Sequence, residues 1–114
     1  MGILEDNPLE IKEIHSEEEL KKAIQQGTTL ILFGAPWFAL SLLQKPILRQ
    51  VASQFQGKAS IGAVNIDKNP EIALELGIRS IPTLILFKNS KEIQRLVGLQ
   101  PEDALSDTLS KFLI

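Results

Sequence analysis

The chain contains no cysteine, and only one histidine, one methionine and one tryptophan. Without a thiol it can form no disulfide, perform no thiolate chemistry and offer no sulfur ligand to zinc or an iron–sulfur cluster. The absence does not report the redox compartment, because a chain without thiols is indifferent to it. A single histidine speaks against a protein-only site of the usual zinc type, and although carboxylates could hold a hard cation, no stretch carries the spacing of a calcium-binding loop. The sequence therefore calls for no metal and no cofactor. A dominant charge is missing too: 12 Lys and Arg stand against 14 Asp and Glu, a net charge of −2. Nothing in that balance attracts nucleic acid or an anionic membrane. No apolar run approaches the roughly 18 residues that span a bilayer. The opening residues Met1 to Asn7 lack the basic and apolar regions of a secretory leader, so a cytoplasmic location is expected.

What is present is an ordinary globular composition, 44% hydrophobic and 23% charged over 114 residues. That length predicts one domain over residues 1–114 with one core, residues 1–8 forming a flexible tail. No repeat, linker or low-complexity segment divides it. The chain is organised around Thr29 to Ser41. Thr29-Leu-Ile-Leu-Phe-Gly34 is apolar and β-branched, too short for a helix, and reads as a strand buried on both faces. Beyond Ala35-Pro36-Trp37, helical spacing begins, with Leu43, Ile47, Val51 and Phe55 as the expected apolar stripe of a helix over 38–55. Pro46 should kink it. A central strand thus delivers the chain to a helix N-terminus, where free N–H groups and the positive dipole end favour an activated group.

Around this unit the other elements follow from local signals. Leu9 to Ile14 alternates apolar and charged residues like a half-exposed edge strand. Ser16 with Glu19 is a capping-box signature opening a helix that Gly27 ends, with Leu20, Ala23 and Ile24 buried. His15, just ahead of it, receives no functional role. Ser60 to Ile66 is a second central strand; Asn69-Pro70 caps a short helix closed by Gly77. Thr83 to Lys88 and Glu92 to Val97 form a hairpin around Asn89-Ser90-Lys91, with Ser90 pointing to a longer or strained turn. Pro101 starts a last helix with the stripe Leu105, Thr108, Leu109 and Phe112. The order β-α-β-α-β-α-β-β-α predicts an α/β domain, a central mixed sheet with helices on both faces.

Ala35-Pro36-Trp37 followed by Pro46-Ile47-Leu48 resembles the active-site region of the thioredoxin family. The resemblance continues through Val64-Asn-Ile-Asp-Lys-Asn-Pro70, Gly77-Ile-Arg-Ser-Ile-Pro-Thr83, Leu84 to Asn89 and Val97-Gly98. It implies the thioredoxin fold. It does not bring the activity: where the family has Trp-Cys-Gly-Pro-Cys, this chain has Trp37-Phe38-Ala39-Leu40-Ser41. Phe38 stands at the nucleophile and Ser41 at the resolving cysteine. A phenyl ring cannot attack a disulfide, and the Ser41 hydroxyl has no base near it in sequence; it reads as a partner of local backbone. The family's buried acid aligns with Leu32 and its lysine partner with Ala63. Losing thiols, acid and partner together points to adaptation to life without redox chemistry, since replacing a buried ion pair whole by apolar groups is tolerated far better than breaking it.

By the same resemblance the substrate groove remains, at Trp37, Ile81, Pro82, Val97 and Gly98. The family's proline there is cis, which turns the Ile81 backbone outward to pair with an extended peptide. Phe38 either enlarges this apolar surface, with Leu40 or Leu42 adding to it, or folds inward over the space left by the missing groups. Two functions follow as expectations. The chain is a redox-inactive binding module for an extended or partly unfolded protein segment, in a chaperone, assembly or scaffold role. Alternatively it is a protein-disulfide oxidoreductase homologue whose thiol activity is lost or supplied by a partner. A monomer, or a weak homodimer through the Trp37 and Phe38 patch, is expected.

Overall fold

The computed structural model describes residues 11–113. The tail expected over residues 1–8, and the start of the edge strand expected at Leu9, lie outside the described residues. The elements are β1 (Lys12–Ile14), α1 (Glu17–Ile24), β2 (Thr28–Gly34), α2 (Ala39–Gln54), β3 (Ser60–Asn65), α3 (Pro70–Leu76), β4 (Thr83–Lys88), β5 (Lys91–Val97) and α4 (Glu102–Phe112). The five strands lie in the order β1-β3-β2-β4-β5. β1 and β2 run parallel to β3, whereas β4 is antiparallel to both β2 and β5. Every residue of β2 is buried, as its unbroken apolar run requires of the middle strand.

Strand alternation divides the core into two layers. Leu30 and Leu32 pack with Leu48 and Val51 of α2 and with Leu105 and Leu109 of α4. Ile31 and Phe33 face the other way, toward Leu20 and Ile24 of α1 and Ile72 of α3. α1 opens as its sequence indicates: the Ser16 Oγ accepts from Glu19 N–H at 3.0 Å, and Glu19 Oε1 accepts from His15 N–H at 2.8 Å. Asn69 does stand at the head of α3, but its side chain donates to the Asn65 carbonyl instead of capping the helix.

Val51, Ile47 and Phe55 of the expected α2 stripe do pack into the core, but Leu43 does not. Leu43 is 55% exposed, and the inward row is Ser41, Gln44, Leu48, Val51 and Ala52, flanked by Ile47 and Phe55. The reason is helical pitch. Steps of four residues drift by about 40° each, so a row spaced only by fours leaves the core-facing stripe, whereas alternating steps of three and four stay on it. The helix runs through Pro46 without interruption.

The β4–β5 hairpin closes with a two-residue turn, so β5 starts at Lys91 and the turn is not lengthened. Asn89 and Ser90 both have positive φ, 49° and 75°. That is the turn whose hand matches the twist of the strands, and glycine is favoured at its second position. The turn is held against the α1–β2 connection: Asn89 Oδ1 accepts from Gly27 N–H at 2.8 Å, and Ser90 N–H donates to the Ile24 carbonyl at 2.7 Å. Ser90→Gly keeps that backbone bond and relieves the left-handed strain. It should stabilise the protein by about 0.5–1 kcal/mol, seen as a higher urea midpoint at unchanged slope. A lowered midpoint would show that the serine side chain makes a contribution that outweighs the backbone strain.

Candidate functional site

Sheet register gathers the site at one end of the molecule. Gly34, the last residue of β2, lies opposite Asn65, the last of β3; Phe33 lies opposite Thr83, the first of β4; and Thr83 pairs with Val97, the last of β5. Segments 35–38, 66–67, 81–82 and 97–98 therefore all leave the sheet at the same edge. The chain passes from β2 to α2 directly over Gly34. A Cβ at that glycine would come within 2.6 Å of the Ser41 Oγ, so the first turn of α2 sits on the strand end only because no side chain intervenes.

Trp37 is 66% exposed. Its indole Nε1 donates to the Asp67 carboxylate, which tethers the ring to the β3–α3 loop. The loop is shaped by Asn65, whose Oδ1 accepts from Asp67 N–H at 2.9 Å. Phe38 is the N-cap residue of α2, and its side chain makes no capping bond. It is half-buried and lies edge-to-face against Trp37, with ring centroids 5.5 Å apart. It joins neither core layer. Of the two orientations left open by the sequence, the ring takes the outward one, beside Trp37.

Ser41 is 5% exposed and accepts from Ala35 N–H at 3.3 Å, a local backbone contact. Beneath it, Leu32 and Ala63 are directly opposite each other on β2 and β3, 2% and 4% exposed. The floor of the site is therefore apolar and offers no proton acceptor. Among the described residues, two groups have displaced acid–base behaviour: Glu17 is raised by its hydrogen bond to Glu75 and by that carboxylate's charge, and Arg95 is raised by its hydrogen bond to Glu92. Neither is a site residue.

On the other side of the groove the Ile81–Pro82 bond is cis, Ile81 is half-buried and Pro82 is buried. The Pro82 carbonyl accepts from Gly98 N–H at 2.8 Å. Gly98 has φ 94°, a conformation that side chains resist, so the glycine is required for this closure. Val97 next to it is exposed. The sequence-expected groove residues Trp37, Phe38, Ile81, Pro82, Val97 and Gly98 thus share one end of the sheet.

Two contributors are not evident from the sequence alone. Gln44 is fully buried; its Nε2 donates to the Gln100 carbonyl at 2.9 Å and its Oε1 accepts from Gln100 N–H at 2.8 Å. This amide pair ties α2 to the segment after Gly98 and holds the rim. The available signal is a glutamine on the inward stripe of α2, which becomes visible only once that helix has its correct phase. The second is Asp67, the anchor of Trp37, which sits inside the Val64–Pro70 motif with nothing in its spacing to link it to an indole 30 positions away. As an arrangement, the site can present apolar rings and strand-end backbone to a partner, and it holds no nucleophile.

The thioredoxin family model matches residues 11–111. The chain is 42% identical to thioredoxin 1 of Nostoc sp. over 84 residues, covering 74% of this chain and 78% of the relative. It is 35% identical to a thioredoxin of Staphylococcus haemolyticus over 98 residues, covering 86% and 94%. Among solved structures, a single-site mutant of a thioredoxin from Halobacterium salinarum superposes with a TM-score of 0.87 at 29% identity, over 94% of each chain. With its sheet order, its strand-to-helix junction and these similarities, the chain belongs to the thioredoxin family, as a member without cysteine.

Proposed function

We propose that this protein is a redox-inactive thioredoxin-fold binding module that holds an extended or partly unfolded polypeptide segment without reacting with it. The observation that carries the reading is the Trp37–Phe38 pair: two aromatic rings packed edge-to-face at the head of α2, one of them mostly exposed, at the position where a nucleophile would stand. Aromatic side chains have large hydration to lose and few rotamers to freeze, so they anchor binding surfaces well. Ile81 and Val97 supply backbone and apolar surface beside them. Strand-like backbone pairing tolerates many sequences, and the rings provide what selectivity exists. An assembly or scaffold role fits a module of this kind.

The test uses reduced, carboxymethylated α-lactalbumin and extended peptides cut from it, whose blocked thiols remove any covalent contribution. Binding is followed by NMR titration. Single short peptides should bind in the micromolar range, because ordering costs consume most of the buried-area gain. Phe38→Ser and Trp37→Ala, each checked for unchanged thermal stability, should weaken binding about tenfold. If both variants bind as tightly as the wild type, the groove is not the binding surface and the reading falls. A concentration-dependent dimer dissolved by the same substitutions would also overturn it, since the patch would then be occupied by a second copy.

A further inference from the structure

A cavity of about 370 Å³ lies behind the groove, between α2 and the ends of β1, β2 and β3. Its volume falls within the range of small-ligand pockets, about 300–1,000 Å³. Leu32 and Ala63, opposite each other on the sheet and both buried, form its floor, and the buried Ser41 also lines it. The space exists because Ala63 carries only a methyl group on a central strand, facing the underside of a helix whose first turns bear Ser41 and not a larger side chain. Across its mouth, Lys45 Nζ of α2 is paired with Glu13 Oε2 of β1 at 2.6 Å. Arg49 stands one turn further along α2, lines the same cavity and is exposed. Among the described residues no carboxylate is paired with it. The mouth therefore carries two cations and one carboxylate, an excess of one positive charge over an apolar floor.

We infer that this cavity is a binding site for a short aliphatic monocarboxylate, its chain lying over Leu32 and Ala63 and its carboxylate held at Arg49 and Lys45. The single excess charge matches a single carboxylate, and guanidinium is suited to grip one in two-pronged fashion. A neutral alcohol would gain the floor but not the mouth. A second carboxylate on the ligand would have to be buried against Leu32 or compete with Glu13, which disfavours dicarboxylates. This site shares Leu32, Ala63 and Ser41 with the strand-to-helix junction, but the groove residues Trp37, Phe38, Ile81, Pro82, Val97 and Gly98 do not line it, so it does not depend on the polypeptide reading.

Sodium hexanoate is the probe, titrated into the full chain by ¹H–¹⁵N NMR and calorimetry. Saturable one-site binding is expected, with shifts centred on Leu32, Ser41 and Ala63. 1-Hexanol should bind at least about tenfold more weakly, and Arg49→Gln should cost hexanoate about tenfold, the order of one charge-assisted contact. Ala63→Leu fills the floor and should abolish binding in a protein that still unfolds cooperatively; if that variant does not fold, Ala63→Val, with less added volume, should weaken binding at least severalfold. Non-saturating shifts spread over the surface, equal affinity for hexanol, or undiminished binding by Arg49→Gln or by a folded position-63 variant would each overturn the assignment.

Discussion

In an insulin-reduction assay driven by dithiothreitol or by thioredoxin reductase, the protein turns over no faster than the protein-free blank. Disulfide reduction begins with attack of a thiolate on sulfur, and the chain has no cysteine to supply one. The place for it is otherwise intact. Position 38 is the N-cap of α2, where N–H groups and the helix dipole would lower a thiol pKa, and position 41 is buried one turn inward with its γ atom against the Ala35 N–H. Phe38→Cys combined with Ser41→Cys should therefore form a dithiol that closes to a disulfide. Turnover should nonetheless stay near or below about one hundredth of a dithiol relative's rate. The inner thiol must lose its proton over a floor of Leu32 and Ala63, and a missing general base typically costs 10²–10⁴-fold. Full relative-like rates in the double variant would show that the floor is irrelevant to the chemistry. Activity of the unmodified chain above the blank would remove the redox-inactive reading altogether.

Leu32→Asp should be the most damaging single substitution at the site, destabilising by about 3–5 kcal/mol at neutral pH. That is a large part of the 5–15 kcal/mol typical of a domain. Leu32 is 2% exposed and packs in the layer with Leu30, Leu48 and Leu84, and the residue across from it is Ala63, which provides no counter-charge. Burial without a partner would raise the new carboxyl above its unfolded pKa of about 3.9. The folded state then holds its proton more tightly than the unfolded one. The penalty is smallest in acid, grows as pH rises above the unfolded value, and levels off once the folded pKa is passed. Adding Ala63→Lys places an ammonium on the neighbouring strand directly opposite. The double variant should recover at least about 1 kcal/mol beyond additivity, measured by chemical unfolding of all four proteins. A Leu32→Asp cost under about 1 kcal/mol, flat with pH, would mean that water entering through the cavity beside Leu32 hydrates the charge.

Much of this protein is legible without coordinates. The loss of thiol chemistry needs no structure, because a missing atom type is missing in every conformation. Element order is readable because strand and helix signals are local: the β2 run, the Ser16–Glu19 cap, the Gly77 position and the hairpin all lie within a few residues of the feature that they set. The groove residues are reached through resemblance, and the register of β2, β3, β4 and β5 explains why segments so far apart in sequence meet at one edge.

Tertiary structure decided the rest. Spacing by fours finds Ile47, Val51 and Phe55 but misplaces Leu43; with Ser41 and Gln44 heading the inward row, polar residues whose burial depends on partners elsewhere, apolar count alone could not fix the phase of the first turns. The partners are distant: Gln44 meets Gln100 across 56 positions, and Trp37 meets Asp67 across 30. Local propensity carries no information over such separations, since those contacts form only after the layers have packed. Phe38 could point either way from a helix start, and it lies half-buried, edge-to-face against an indole that Asp67 tethers. The cavity over Leu32 and Ala63 belongs to the same class. The small side chains of Ala63 and Ser41 are visible in the sequence, and only the height of α2 above the sheet makes them into a space.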